Sequence, residues 1–556
     1  MLARLLLIFV LILTPVAANA AGGVVSAADP RAAEAGLEML RAGGSATDAA
    51  MAIMLALGVV EPQSSGIGGG GFLVHHDGTS GAIDTIDGRE MAPASATPER
   101  FLGPDGKPLP FSQAFPGGSS VGVPGNIRLM AEAHRKWGKL PWAKLFEPAI
   151  RLAEQGYKVT PRMNMFMGYV APLWKDFPET AAIYARDGKA APVGTLIHNP
   201  ALAKLLRDIA AHGPDAFYGG GNAAAIATAV SNAPRRPATF TAADLAAYQA
   251  KVRPPVCGRY RGYRVCGMGP PSSGGVTILQ MLGMLDHFDL PRLGKDSPVA
   301  WHLIGEAMQL AYADRDKYLG DMDYVPVPVA GMLDPDYLAS RARLISPDRS
   351  LARYEAGNPP GAEMRTAAVS GERSGTTHFV TVDGDGNIVT MTSTVEGPFG
   401  SQIVVNGMVL NNELTDFTFA PEKDGAPVAN RVQAGKRPLS SMSPTIVYGP
   451  DGKVVLAIGS AGGKRIIMHV LKALVGFIDW KLPAADAIAL PNIYFGGGSL
   501  QVEQGTSLAA MRSALEKLGQ PVTVSNVTSK LNAIERVGDH WRGAADPRTE
   551  GVALAE

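Results

Sequence analysis

Apolar positions along the chain recur with two periods, one typical of helices and one typical of strands. Helical spacing predicts amphipathic helices over about 29–40, 126–136, 147–155, 199–211, 298–319, 464–477 and 507–517. Ser45-Ala46-Thr47-Asp48 has the spacing of a capping box and begins a further, very apolar helix that we expect to reach Val60. The stretch 161–200 is less periodic.

Strict alternation and β-branched residues predict the strands of this protein. These runs cover 72–76, 83–87, 377–382, 403–410 and 454–458, with another run that ends at 393–396. Turn residues at 383–387 and 449–452 join neighbouring runs as hairpins. From Thr376 onward, strands become the more frequent element.

The first twenty residues have the pattern of a secretory leader. Arg4 precedes an apolar run from Leu5 to Leu13, Pro15 interrupts it, and Ala18-Asn19-Ala20 is a small-x-small cleavage site. We predict a signal peptide over 1–20 and export to a periplasm or the cell exterior. An uncleaved anchor is the alternative, although the run is short for a membrane span.

Composition narrows the classes of partner. Lys and Arg total 51, as do Asp and Glu, so no excess charge indicates nucleic acid or an anionic membrane surface. The two cysteines, Cys257 and Cys266, flank a predicted hairpin. They could form a local disulfide in an oxidising compartment or remain free thiols, and by themselves they cannot close a zinc site.

The candidate nucleophile is Thr376, which follows Gly375 at the start of a strand. If Thr376 cleaves the preceding peptide bond, it gains a free α-amine beside its hydroxyl, so one residue holds both nucleophile and base. The polar, aperiodic segment 357–374 supplies the exposed leader that such cleavage needs. Taken alone, Thr376 would be an ordinary strand residue.

Two further features carry candidate chemistry. Gly459-Ser460-Ala461-Gly462-Gly463 lies between a strand and a helix, where free backbone N–H groups can bind an oxyanion; the alternative is a tight turn. Arg89 follows a strand and could clamp a carboxylate through two hydrogen bonds, or form a surface ion pair.

Several short motifs, in this order, resemble the γ-glutamyltransferase (glutathione hydrolase) family of N-terminal-nucleophile hydrolases. They are Gly68-Gly69-Gly70-Gly71-Phe72, Arg89-Glu90-Met91-Ala92-Pro93, Pro271-Ser272-Ser273-Gly274-Gly275, Tyr312-Ala313-Asp314-Arg315, Thr376-Thr377-His378, Leu410-Asn411-Asn412, the run from Arg437 to Thr445, and Gly462-Gly463. Each motif is weak alone, and together they span nearly the whole chain after the leader.

The resemblance implies an α+β fold, a four-layer αββα sandwich formed jointly by two autoprocessed subunits. Cleavage between Gly375 and Thr376 would give a large subunit, 21–375, and a small catalytic subunit, 376–556, that remain associated. Thr376 would be the catalytic nucleophile, and Thr394 matches the threonine that orients it. Gly462 and Gly463 would bind the oxyanion.

The resemblance also implies how a γ-glutamyl substrate such as glutathione would bind. Arg89, with Ser440 and Ser441, matches the groups that hold the α-carboxylate, and Glu396, Glu413 and Asp416 match those that hold the α-ammonium. Water, an amino acid or a peptide would accept the acyl group. No cofactor and no metal are implied.

The sequence departs from the family pattern in two places. Some members have asparagine and glutamine where this chain has Glu396 and Glu413. Residues 418–436 are shorter than the lid loop of some members and contain no tyrosine, which suggests a more open site. Two alternatives follow: a glutaryl or cephalosporin-type acylase of the same superfamily, and an unprocessed exported protein that binds γ-glutamyl compounds.

Overall fold

The computed structural model describes residues 19–20, 22–368 and 375–556. The predicted leader lies outside these residues, except that Asn19–Ala20 pair with Trp541 and Arg542. Ala21 and the last part of the predicted exposed segment, 369–374, also lie outside them. Within the described residues, no helix combines the length and the apolar character that crossing a membrane requires.

Two seven-stranded sheets form the centre of the described structure. The first sheet consists, in spatial order, of Val552–Ala555, Val24–Ala27, Gly375–Val382, Ile388–Glu396, Gly70–His76, Ile83–Gly88 and Lys251–Arg253. The second consists of Asn19–Ala20, His540–Ala545, Asn532–Val537, Val454–Gly459, Thr445–Tyr448, Tyr263–Gly267 and Val256–Tyr260. Within each sheet the paired strands are antiparallel.

The two sheets pack face to face, and helices cover their outer faces. Val74, Val380 and Ile388 of the first sheet pack against Ile446 and Ile534 of the second. Helices on the first sheet include Pro30–Arg41, Ala46–Val60, Asn126–Trp137, Glu147–Gln155 and Pro200–His212. Helices on the second include Gly274–Leu285, Pro298–Tyr318, Pro335–Ala342, Arg465–Ile478 and Ala484–Ala489. The αββα expectation is confirmed.

Helix boundaries follow the local signals in most places. Ser45 and Asp48 form the predicted capping box, and the helix they begin ends at Val60. The less periodic stretch 161–200 nevertheless contains helices Pro161–Val170 and Pro178–Tyr184, each with proline in its first turn. The predicted helix 507–517 is divided into Ser507–Ala510 and Arg512–Lys517.

Two expectations about loops and strands are refined by the structure. The single strand predicted over 403–410 is instead a hairpin of Val404–Val405 and Met408–Val409. Asn406 and Gly407 both have positive φ, which a two-residue turn of this kind requires. Cys257 and Cys266 face each other across the hairpin 256–267 and form a disulfide.

Candidate active site

Thr376 lies near the start of a buried strand, at an irregular point in its pairing. Thr376 is opposite Thr394, whereas Gly375 is opposite Glu396, so the register skips Val395. Glu396 has φ +75°, in the left-handed region. A Cβ on Gly375 would lie 2.4 Å from the Glu396 carbonyl oxygen. Glycine therefore precedes the threonine for a steric reason.

The Thr376 and Thr394 hydroxyls form a directed pair. Their Oγ1 atoms are 3.2 Å apart, and Thr394 Oγ1 also donates to the Gly375 carbonyl oxygen at 2.9 Å. Because the single Thr394 proton is used on that carbonyl, Thr376 must be the donor between the two threonines. The Glu396 N–H donates to Thr394 Oγ1 at 2.8 Å and fixes it further.

The glycine run 68–71 packs closely against the strand that carries Thr394. A Cβ on Gly69 would lie 1.9 Å from the Thr394 carbonyl oxygen. The run leads into strand Gly70–His76, which pairs with Ile388–Glu396 on the side away from Thr376. Substituting Gly69 would therefore displace the strand that carries Thr394.

One small cavity brings most of the predicted site residues together. It is lined by Arg89, Thr376, Thr394, Glu396, Glu413, Asp416, Ser440, Ser441, Met442, Gly463 and Ile466. Of the residues predicted for the site, Gly375 and Gly462 do not line it, but each adjoins a lining residue in the chain. Segments from both sides of the Gly375–Thr376 bond contribute to the cavity.

Arg89 is fully buried and is already bound to the acids of the cavity. Its guanidinium donates to Glu413 Oε1 and, at 2.5 Å, to Asp416 Oδ2. The carbonyl oxygens of Pro438 and Leu439 accept at 3.1 and 2.9 Å. The acids raise the pKa of Arg89 further above its ordinary value, against the opposing effect of burial. Arg89, Glu413 and Asp416 are thus one ion-paired group.

Glu90 adds a carboxyl group to this region that the sequence analysis did not single out. Its side chain is inaccessible to solvent, its carboxyl group interacts with that of Glu413, and its Oε2 lies 3.9 Å from Arg89 Nη1. Burial raises the pKa of Glu90 to about 7, and it raises the pKa of Glu413 well above its ordinary value. The charge beside Arg89 therefore changes with pH near neutrality.

Two asparagines that the sequence analysis did not assign hold the acidic loop in place. Asn412 Nδ2 donates to the Glu396 carboxylate, and Asn412 Oδ1 accepts from the Gly397 N–H. Asn430 Nδ2 donates to the Asp416 carbonyl oxygen at 2.7 Å, while its Oδ1 accepts from the Leu439 N–H at 2.9 Å. Asn430 thus ties the loop of acids to the loop of serines.

The turn at Gly462 and Gly463 precedes helix Arg465–Ile478 and has two free donors. Both glycines have positive φ, +136° and +60°. Within the described part of the chain, neither N–H group donates a hydrogen bond. His469 supports the turn from behind: its Nδ1 is 3.0 Å from Ser460 Oγ, and a Cβ on Gly462 would lie 3.1 Å from its Cε1.

Comparison with known proteins identifies relatives along most of the chain. A family model described as gamma-glutamyltranspeptidase matches residues 32–556. A glutathione hydrolase proenzyme of Bacillus subtilis (strain 168) is 38% identical over 551 residues, covering 96% of this chain and 91% of that protein. The glutathione hydrolase proenzyme of Escherichia coli (strain K12) is 37% identical over 543 residues, covering 95% and 90%.

A solved structure also resembles the fold. The cephalosporin acylase from Bacillus halodurans superposes with a TM-score of 0.85 at 28% sequence identity, covering 100% of this chain and 99% of that chain. The fold is therefore similar over its whole length to that of an acylase, while the two relatives above are named glutathione hydrolases.

Proposed function

The chain belongs to the γ-glutamyltranspeptidase family, and we propose that it is a self-cleaving γ-glutamyltransferase and glutathione hydrolase with Thr376 as its nucleophile. One observation carries the proposal: the cavity that contains the Thr376 hydroxyl also contains one arginine, three acids and two serines. A γ-glutamyl group presents a carboxylate and an ammonium close together, which calls for both signs of charge in one small site.

Self-cleavage would begin with attack of Thr376 Oγ1 on the Gly375 carbonyl carbon. Its hydroxyl proton would pass, through Thr394 or water, to the peptide nitrogen, the C–N bond would break to free the Thr376 α-amine, and water would hydrolyse the resulting ester between Gly375 and Thr376 Oγ1. The hydrogen bond from Thr394 to the Gly375 carbonyl oxygen supports this step because it polarises the bond under attack. The relatives named proenzymes support it as well.

In the processed enzyme, the Thr376 hydroxyl would attack the γ-amide of the donor while the new α-amine accepts its proton, directly or through water. The free N–H groups of Gly462 and Gly463 would stabilise the oxyanion, and Thr394 would orient the nucleophile. Cysteinylglycine would leave from glutathione. Water, an amino acid or a peptide would then resolve the γ-glutamyl ester.

Donor binding would require a rearrangement of ion pairs. Arg89 would turn part of its hydrogen-bonding capacity from Glu413 and Asp416 to the α-carboxylate, with the hydroxyls of Ser440 and Ser441. Glu396, Glu413 and Asp416 would bind the α-ammonium. The incoming zwitterion brings one charge of each sign, so the site remains electrically matched.

Two subunits, 21–375 and 376–556, would stay associated after cleavage, and the leader 1–20 would direct the protein to the periplasm or the exterior. Both sheets support association because each contains strands from both sides of the cleavage point. The buried ion pair between Glu61 and Lys530, at 2.6 Å, links the two parts as well.

Intact mass and N-terminal sequencing of the purified protein test the central step. We expect two fragments, the smaller one beginning at Thr376, and release of glutamate from glutathione. A single uncleaved chain that binds glutathione without turnover would contradict the proposal and support the binding-protein alternative.

The second candidate function is a glutaryl or cephalosporin-type acylase, which the full-length structural similarity to a cephalosporin acylase favours. Such an enzyme needs no ammonium site. Rates with γ-glutamyl and glutaryl 4-nitroanilides separate the two functions, because a glutaryl compound lacks the ammonium. We expect faster release from the γ-glutamyl anilide; the reverse order would assign the acylase function.

A further inference from the structure

The hydroxyls of Ser440 and Ser441 are arranged to donate hydrogen bonds to a ligand. Ser440 Oγ accepts from the Met442 N–H at 3.2 Å, and Ser441 Oγ accepts from Arg315 Nη2 at 2.8 Å. Among the described residues, neither hydroxyl donates a hydrogen bond. Both serines line the cavity, so each has a hydroxyl proton available for an anion there.

Arg315 is a second buried cation beside the cavity, behind Ser441 instead of in the lining. Its side chain is inaccessible to solvent. Nε donates to Ser273 Oγ at 2.9 Å, and Nη1 donates to Asp316 Oδ1 at 2.8 Å. Ser273 in turn donates to the Ser440 carbonyl oxygen at 2.6 Å. The Arg315 guanidinium therefore orients the Ser441 side chain directly and the Ser440 backbone through Ser273.

Arg89 alone is poorly placed to attract a carboxylate. Glu413 and Asp416 bind its guanidinium directly and Glu90 Oε2 lies 3.9 Å away, so most of its hydrogen-bonding capacity is already used at its end of the cavity. At the other end, the Arg315 guanidinium pairs with Asp316, whose Oδ1 is 3.8 Å from Lys464 Nζ. A donor carboxylate at the serines meets two hydroxyl protons that no described residue accepts.

We propose that Arg315 is a positioning residue for the donor carboxylate: it holds the Ser441 hydroxyl with its proton directed into the cavity and supplies positive charge behind it. The inference rests on the proposed function. A hydrogen bond from a cation to Ser441 Oγ also polarises the O–H group and makes it a stronger donor.

The location of Arg315 in its helix agrees with this role. Arg315 lies in the last turn of helix Pro298–Tyr318. One turn earlier, Tyr312 donates to the Lys464 carbonyl oxygen at 2.5 Å, next to the turn of Gly462 and Gly463. The helix end thus contacts the segments that carry both the carboxylate-binding serines and the oxyanion donors.

The test compares three 4-nitroanilide donors in the processed enzyme and in Arg315→Gln. The γ-glutamyl donor has both charged groups, the glutaryl donor lacks the ammonium, and the 4-aminobutyryl donor lacks the carboxylate. We expect KM to rise about tenfold to 100-fold for the two donors with a carboxylate, the range for a hydrogen bond to a charged group. For the 4-aminobutyryl donor, kcat/KM should change by less than about threefold. If this donor turns over too slowly to measure, its inhibition constant against the γ-glutamyl donor is compared instead, and it should change by the same small factor.

Two further variants keep the test decisive. Ser441→Ala should raise KM for the same two donors. Combining Ser441→Ala with Arg315→Gln should raise KM little more than either substitution alone, because both remove the same interaction. If Arg315→Gln is not processed, Arg315→Lys takes its place. It keeps the charge but cannot contact Ser273 and Ser441 together, so a smaller effect with the same donor pattern is expected.

Arg341→Gln is the matched control, because Arg341 is another buried arginine, 3.6 Å from Asp314 of the same helix and away from the serines. It should lower Tm without changing donor discrimination. If Arg315→Gln lowered kcat/KM equally for all three donors, the inference would be overturned and Arg315 would have a structural role only. A parent enzyme inactive on the γ-glutamyl donor would instead overturn the proposed function.

Discussion

The two walls of the cavity are built from different kinds of group. The wall of Thr376 and Thr394 consists of hydroxyls and backbone atoms. These lie where the pairing of two strands is irregular, and nearby glycines allow the backbones to approach closely. The wall of Arg89, Glu413 and Asp416 depends on buried charges that neutralise one another. In the proposed function, reactivity would therefore rest on short-range geometry and recognition on electrostatics, so substitutions in the two walls should have different consequences.

Thr376→Ala should have the largest effect. We expect no cleavage before residue 376 and a loss of turnover of about 1000-fold or more, because one hydroxyl serves both reactions. Tm should change little, since the substitution removes no charge. Mass spectrometry and release of 4-nitroaniline measure the two losses.

Thr377→Val is the matched control for that substitution. Thr377 is the next residue in the strand and is also buried, and its Oγ1 makes no hydrogen bond within the described part of the chain. The variant should be processed and active. If it lost both reactions as Thr376→Ala does, damage to the strand, and not loss of the nucleophile, would explain the phenotype.

Arg89→Ala should affect recognition and stability more than chemistry. Cleavage should proceed, because the hydrogen bonds of Thr376 and Thr394 do not involve Arg89. KM for the γ-glutamyl donor should rise by about 100-fold, and removing one partner of a buried ion pair costs about 3–5 kcal/mol. Steady-state kinetics and thermal unfolding measure these changes.

Adding Glu413→Gln to Arg89→Ala sharpens the comparison. The second substitution removes a carboxylate that the first leaves unpaired. Tm of the double variant should therefore be higher than that of Arg89→Ala, whereas KM should stay high. Failure of Arg89→Ala to undergo cleavage would show that the two walls are not independent.

Local features of the site were predictable from sequence, whereas its long-range contacts were not. Gly375-Thr376 stands at a strand start, and the glycines at 462 and 463 precede a helix, so their local geometry follows from neighbouring residues, whereas their expected roles came from the family resemblance. The pairing of Arg89 with Glu413 joins residues 324 positions apart, and that of Arg315 with Ser441 joins residues 126 apart. No periodicity or local spacing specifies such contacts.

The same distinction holds for the fold. The capping box at Ser45 and the helix at Arg465–Ile478 depend on local signals and agree with expectation. By contrast, strand Val24–Ala27 lies between Gly375–Val382 and Val552–Ala555, partners that are far away in the chain. The layer arrangement was expected from family resemblance, because alternation alone does not say which strands pair.

Glu90→Gln should have the smallest effect, visible as a change in the pH dependence of stability. The pKa of Glu90 is raised to about 7 in the folded state, above its ordinary value of 4.5. Between these values the folded protein keeps a proton that the unfolded chain releases, so rising pH favours unfolding. Glutamine cannot titrate, so Tm of the variant minus that of the parent should increase by a few degrees from pH 5 to pH 8. Thermal unfolding of both proteins at each pH measures this difference, and an offset independent of pH would mean that Glu90 does not titrate in this window.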